Sequence, residues 1–232
     1  MADALFIVPT VYARRDRLTV FLDACAGTIR GDTEIMLALD EEELGDWAPL
    51  LPGLAGAGPW LWSASAPRMA LGPKMNRHSS EAAFLYPRVG FLADDTVPVT
   101  EGWDVKLTEA LRTPGIAWAR SNRRNDIPEH HLVSSIILRA LGWYWMPTLT
   151  HYRADNVLAD LGRAAGCLRY CDDVLIRHEH HETGAAHDET YRQAEAGGTL
   201  DHAAYGRWIS SGQCWSDAET VRKAVQAWPV QS

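Results

Sequence analysis

Residues 89–96, read V-G-F-L-A-D-D-T, constrain this chain more than any other stretch. The apolar residues Val89, Phe91 and Leu92 stop abruptly at two adjacent carboxylates, Asp94 and Asp95. A short apolar run bounded by turn formers predicts a buried strand of a mostly parallel sheet. Ligands of open α/β sheets lie in the crevice beyond the carboxyl ends of the strands. Two acids there repel unless a cation stands between them and the ligand. Mg2+ or Mn2+ does this, taking carboxylate and phosphate oxygens together. An isolated pair of acids is ordinarily a solvated turn, so the surroundings decide.

Those surroundings repeat the pattern. Leu5-Phe6-Ile7-Val8 before Pro9-Thr10 predicts a first strand, and Leu18, Phe21, Leu22 and Cys25 lie at helical spacing within 14–26, with Gly27 as the stop. A second strand over 34–39 ends at Asp40. Strand, helix and strand in this order open a βαβ unit with a right-handed crossover. Residues 49–59 read as a loop or short irregular helix, 60–62 as a third strand, and 71–83 as a helix opening with Gly72-Pro73-Lys74 and containing Asn76. Then come a helix over 104–111, a strand over 115–119, a polar loop over 120–130, a helix over 134–141 stopped by Gly142, and irregular chain over 146–154. Val157, Leu158, Leu161, Ala164 and Ala165 share one face of a helix over 155–165 closed by Gly166. A strand over 167–176 leads to His178-Glu179-His180-His181. Three short helices, 188–194, 203–209 and 217–227, predict a small helical C-terminal cap. The expected organisation is a main α/β domain over 1–181 and an extension over 182–232 packed on it.

With 232 residues, the chain can form one large α/β domain or two small ones. The N-terminus lacks the basic stretch of a signal peptide, and no run approaches the roughly 20 apolar residues of a membrane span. A cytoplasmic protein without a membrane span is expected. Cys25, Cys167, Cys171 and Cys214 show no Cys-x-x-Cys spacing and read as buried thiols. The net charge of −8 argues against nucleic acid as a tightly held partner, although Arg120, Arg123 and Arg124 form a local basic cluster. Of ten tryptophans, Trp60, Trp62, Trp118, Trp143 and Trp145 lie in apolar context and are expected in the core, while others can stack on a sugar or base.

Strands ending at Asp40, at Asp94-Asp95 and at His178 together describe a nucleotide crevice with a metal site. Here the chain resembles the GT-A fold glycosyltransferases of the family 2 type, in a short single-domain form found in phages and actinobacteria. Val8-Pro9-Thr10 with Arg14 and Arg17 resembles the family's opening strand and turn, and Leu37-Ala38-Leu39-Asp40 its second strand. Leu92-Ala93-Asp94-Asp95 resembles the Asp-x-Asp metal motif. The stretch from Asp155 through Gly166 and on to His178 resembles the family's Glu-Asp helix, strand and terminal histidine; Asp188 and Tyr191 fit the short relatives.

The resemblance implies a Rossmann-like, mostly parallel sheet flanked by helices, and a metal-dependent inverting transfer of a sugar from a UDP- or GDP-sugar to a hydroxyl acceptor. It implies Mn2+ or Mg2+ held by Asp95, with His178 as a metal or diphosphate ligand. Pro9, Thr10, Arg14, Asp40 and Asp94 fall to the donor, and Lys74 and Asn76 to its diphosphate or ribose. Asp155 becomes the general base. Two departures stand out: Ala93 replaces the first metal-motif acid, which makes Asp94 a supporting group, and Ala154 replaces the glutamate before Asp155. Other readings remain open. Asp155 can simply cap its helix, with His151 or Asp126 next as base. His178, His180 and His181 can form a zinc site, or the last two can be surface residues. A nucleotidyltransferase and a non-catalytic nucleotide- or carbohydrate-binding module are the rival functions. A phage setting would place the protein in the host cytoplasm and make a hydroxymethylated DNA base one acceptor beside glycans and small molecules.

Overall fold

The computed structural model describes residues 2–55, 58, 60–180 and 188–228. In chain order the elements are β1 (Ala4–Pro9), α1 (Arg15–Thr28), β2 (Thr33–Asp40), α2 (Leu44–Trp47), α3 (Leu51–Ala55), β3 (Leu61–Ala66), α4 (Leu71–Leu85), β4 (Arg88–Phe91), β5 (Thr96–Pro98), α5 (Trp103–Ala110), β6 (Ile116–Arg120), β7 (His131–Ser134), α6 (Ser135–Leu141), α7 (Ala154–Ala165), β8 (Leu168–His178), α8 (Glu189–Ser210) and α9 (Gln213–Gln226).

The strands form one curled mixed sheet in the order β3-β2-β1-β4-β7-β6-β8-β5. Four of its seven pairings are parallel, and β7 and β5 supply the antiparallel ones. β1 is apolar on both faces because both are covered. Leu5 and Ile7 pack with α4, α6, α7 and the C-terminal helices, through Met75, Ile137, Leu158, Trp208 and Val221. Phe6 and Val8 pack with α1 and α5, through Leu18, Phe21, Trp103 and Leu107. No helix among the described residues is long and apolar enough to cross a membrane.

Gly142 and Gly166 close α6 and α7 in the left-handed region, at φ of +76° and +69°, as the sequence predicts. α1 instead runs past Gly27 to Thr28. The sequence reading misses β5 and β7, which are too short to show a period, and it splits α8 in two. The tryptophans also differ from expectation. Trp118 and Trp145 are buried, but Trp62 is 38% exposed and donates to Glu34, while Trp47 and Trp103 are among the largest fully buried side chains. The four cysteines are buried and free.

Candidate functional site

The carboxyl ends of β1, β2 and β4 lie along one edge of the sheet. Antiparallel β7 runs the other way, so its first residues reach that same edge: His131 pairs with Phe91 at the end of β4. Antiparallel pairing of β5 with β8 sets Thr96 opposite His178, and Glu179 N–H donates to the Asp95 carbonyl at 2.8 Å. Asp94, Asp95, Glu129, His130 and His178 therefore converge from three separate stretches of chain.

Asp94 is 2% exposed. Its carboxylate accepts from Thr10 Oγ1 at 2.7 Å and from the Arg14 guanidinium at 2.9 Å. Burial pushes Asp94 up to about 6, against Arg14 and with the charge of Asp95 adding. Asp95 behaves in the opposite way. Burial acts to raise it, but His178, Arg14 and the Tyr191 hydroxyl together hold its carboxyl well below the usual range. His178 Nε2 lies 3.3 Å from Asp95 Oδ1, and Tyr191 donates to Oδ2 at 2.5 Å. The other His178 nitrogen, Nδ1, is 3.7 Å from Glu129. Burial disfavours the His178 cation, yet Asp95 and Glu129 together raise it to about 9. Arg14 is shared: its Nε and second amino group hold Asp188 at 2.9 and 3.1 Å. Pro9 closes β1 and hands the chain to Thr10.

Asp40, at the end of β2, forms a separate cluster. Lys74 Nζ sits 2.5 Å from its Oδ1, and Arg68 Nε 3.2 Å from its Oδ2. Lys74 is 5% exposed and not a solvated residue. Asn76 is anchored within the protein. Its side chain accepts from the Tyr144 and Trp145 N–H groups, each at 2.8 Å, and donates to the Trp145 carbonyl, so it staples that loop.

Asp155 also differs from the capping picture. Arg153, at φ +74°, holds the N-cap position of α7, and Asp155 is the second helical residue. Its Oδ1 accepts from Asn156 N–H at 2.8 Å. Burial raises its pKa, and the charges acting on it are Glu129, Arg124 and Arg123. Asp126, the alternative base, is exposed and held by Arg124. His151 is held by its loop: its N–H and that of Tyr152 donate to the fully buried Asp201. His180 is 9% exposed and packs on the rings of His178 and Tyr191, so it is no surface residue; His181 lies outside the described residues. Arg123 and Arg124 are paired with Glu129 and Asp126, which leaves the basic cluster largely neutralised.

Glu129 and His130 are the residues sequence reasoning missed. Both look like parts of a polar loop. Glu129 is 9% exposed and His130 is fully buried. Burial and the neighbouring His178 push His130 down to about 3, so its imidazole is neutral at physiological pH.

Comparison with solved structures gives the class of fold. The chain superposes on S. aureus TarS 1-349 in complex with UDP at a TM-score of 0.58, covering 90% of this chain and 72% of that one, at 12% identity. GalNAc-T7 with UDP, GalNAc and Mn2+ gives 0.61 over 77% of this chain and 44% of that one, at 9% identity. The mannosyltransferase PcManGT from Pyrobaculum calidifontis, in complex with GDP-Man and Mn2+, gives 0.54 over 98% and 76%, at 15% identity. The chain spans only 36% of the longer TarS structure. Its fold is that of the GT-A-type nucleotide-sugar glycosyltransferases. No protein-family model and no curated protein matches the sequence.

Proposed function

We propose that the chain is a metal-dependent inverting glycosyltransferase using a UDP- or GDP-sugar, with residues 1–181 as its catalytic domain and 182–232 as a helical extension. One observation carries this reading. The Asp94–Asp95 turn lies at the carboxyl edge of the sheet, directly against Arg14 and His178. The same fold occurs in proteins crystallised with UDP, UDP-GlcNAc or GDP-Man, some with Mn2+.

The residues present fit a divalent cation. Asp95 offers a buried carboxylate oxygen 3.3 Å from an imidazole nitrogen, a mixed oxygen and nitrogen set suited to Mn2+. Asp95 and His178 would hold it, and when bound it supplies charge neutralisation to the diphosphate leaving group. Arg14 adds a fixed positive charge, and Asp94, hydrogen-bonded to Thr10 and Arg14, keeps that guanidinium aimed at the cleft. Lys74 and Asp40 border the nucleoside end. Asp155 takes the proton of the acceptor hydroxyl; its raised pKa makes it a better proton acceptor than an exposed aspartate. The acceptor approaches past the His151 loop, where Tyr152, Glu195, Gly198, Thr199 and His202 line an open depression of about 520 Å³. Its mixed aromatic and polar lining suits a glycan or small hydroxyl compound, and the neutralised arginine cluster weighs against DNA.

Incubating the protein with UDP- and GDP-sugars and Mn2+, then measuring nucleotide release and the mass of candidate acceptors, tests this. Release of UDP or GDP from one donor, with a matching mass gain on an acceptor, is expected. No turnover of any donor would leave a binding module as the better reading.

A further inference from the structure

We propose that Glu129, His130 and His178 form a second metal seat, separate from the one at Asp95, for a divalent transition ion that favours imidazole, such as Zn2+ or Co2+. One ligand atom from each residue lies within 4.8 Å of the others; His178 ends β8, and Glu129 and His130 lie just before β7, where the His130 carbonyl accepts from Ala119 N–H at 3.0 Å. Small rotations of these side chains bring such a trio to metal-ligand distances of about 2 Å.

A second observation is independent of that spacing. Both ring nitrogens of His130 are buried without a hydrogen-bond partner among the described residues, while Glu129 Oε2 faces His178 Nδ1 at 3.7 Å. Leaving a buried polar group unsatisfied costs roughly 1–3 kcal/mol. A metal ion satisfies an imidazole nitrogen and a carboxylate oxygen at once. His130 has no competing occupation: its ring contacts the ring of His178 at 5.2 Å, edge to face.

The donor chemistry selects the ion. Two imidazoles and one carboxylate suit Zn2+, Co2+ or Fe2+, whereas Mg2+ prefers oxygen alone. Three protein ligands leave a coordination position open, as in zinc sites that admit water or substrate. The His178 ring stands between Asp95 and Glu129, its Nε2 toward the first and its Nδ1 toward the second. The two seats therefore lie on opposite sides of one ring. The two seats share His178, whose ring would bridge them as an imidazolate if both were filled; the Glu129 and His130 side of the proposal rests on side-chain geometry alone.

Titrating the metal-free full chain with Co2+ tests it, using visible absorption for coordination and calorimetry for stoichiometry. The expected result is a Co2+ complex with intense visible bands that Zn2+ displaces. His130→Gln and Glu129→Gln should each weaken it by about tenfold or more, while Asp95→Asn retains it. Wild-type protein without such bands, a His130→Gln variant that binds Co2+ like the parent, or an Asp95→Asn variant that loses the bands would each overturn the separate seat. If His130→Gln fails to fold by circular dichroism, Glu129→Gln decides by the same readout. Failure of Mn2+-dependent nucleotide binding would sink the transferase reading and leave the Co2+ result standing.

Discussion

Two acidic clusters share one edge of this sheet, and they are built differently. At the end of β2, Asp40 faces two cations, Lys74 and Arg68, and Arg68 also pairs with Glu43 at 2.8 Å. At the β4–β5 turn, Asp94, Asp95, Glu129 and Asp188 crowd around Arg14, Arg17, Arg123 and His178. The first cluster is closed around the buried pair Lys74 and Asp40, with Arg68 on its exposed rim. In the second, burial and neighbours drive adjacent acids apart, Asp94 up to about 6 and Asp95 well below the usual range. Environments that separate the pKa values of neighbouring groups mark functional sites more often than structural ones. The contrast predicts that damage at Asp40 appears first in stability, and damage at the other cluster first in binding and rate.

The largest effect tests the closed cluster. Lys74→Met strands a carboxylate that is only 2% exposed, with Arg68 its remaining partner. Removing one member of a buried pair costs about 3–5 kcal/mol, and denaturant unfolding should show a loss of that order. An unchanged midpoint would mean that water reaches Asp40 and the contrast is false. Asp40→Ala should likewise lower the melting temperature as well as any nucleotide affinity, because it strands Lys74.

At the open cluster, Asp155→Asn should fold and bind nucleotide like the parent while transfer falls by about a hundredfold or more. Single-turnover rates check this; a loss within a few-fold would remove Asp155 from the chemistry. A smaller effect is expected where the two ends of the chain meet. Asp188 caps α8 through the Tyr191 N–H and pairs with Arg14, so Asp188→Ala should cost about 1 kcal/mol from the cap alone. Thermal unfolding of the variant reads this directly.

A pH dependence gives a further test. Burial depresses His151 from 6.5 to about 4, only partly offset by Asp201. The folded state keeps it neutral while the unfolded chain protonates it. Its contribution to stability is therefore fully present above pH 6.5 and lost as pH falls through 4. His151→Gln should flatten that part of the stability profile between these values, measured by denaturant unfolding. An unaltered profile would show that His151 is open to solvent.

The half of the sheet built from β1, β2 and β4 was legible in the sequence because parallel strands covered on both faces are continuous apolar runs. Their terminal residues Thr10, Asp40, Asp94 and Asp95 could be read off where the runs stop. α7 was legible because its apolar stripe is clean and Gly166 ends it. The other half was not. β7 opens with His131 and is four residues long, so nothing in its pattern announces a strand. Glu129 and His130 reach the site only because that strand runs antiparallel. α8 was read as two pieces because Gly197 and Gly198 interrupt it. A Cβ at Gly198 would lie 3.3 Å from the Tyr152 ring, so the glycine serves close packing inside a continuous helix and does not end it. The stapling of the 144–145 loop by Asn76 has no signal in the sequence, because an amide that staples a distant loop looks the same there as one that meets a ligand.

The central claim is that Asp95 and His178 hold a divalent cation beneath a nucleotide diphosphate. Thermal unfolding with UDP or GDP, in Mn2+ or in EDTA, tests it most directly when wild type is set beside Asp95→Asn. A ligand at a hundredfold excess over its dissociation constant stabilises the native state by about 2.7 kcal/mol, which is readily seen. The expected result is a shift in wild type with Mn2+ that disappears in EDTA and in Asp95→Asn. Equal nucleotide stabilisation without the metal, or in the variant, would contradict it.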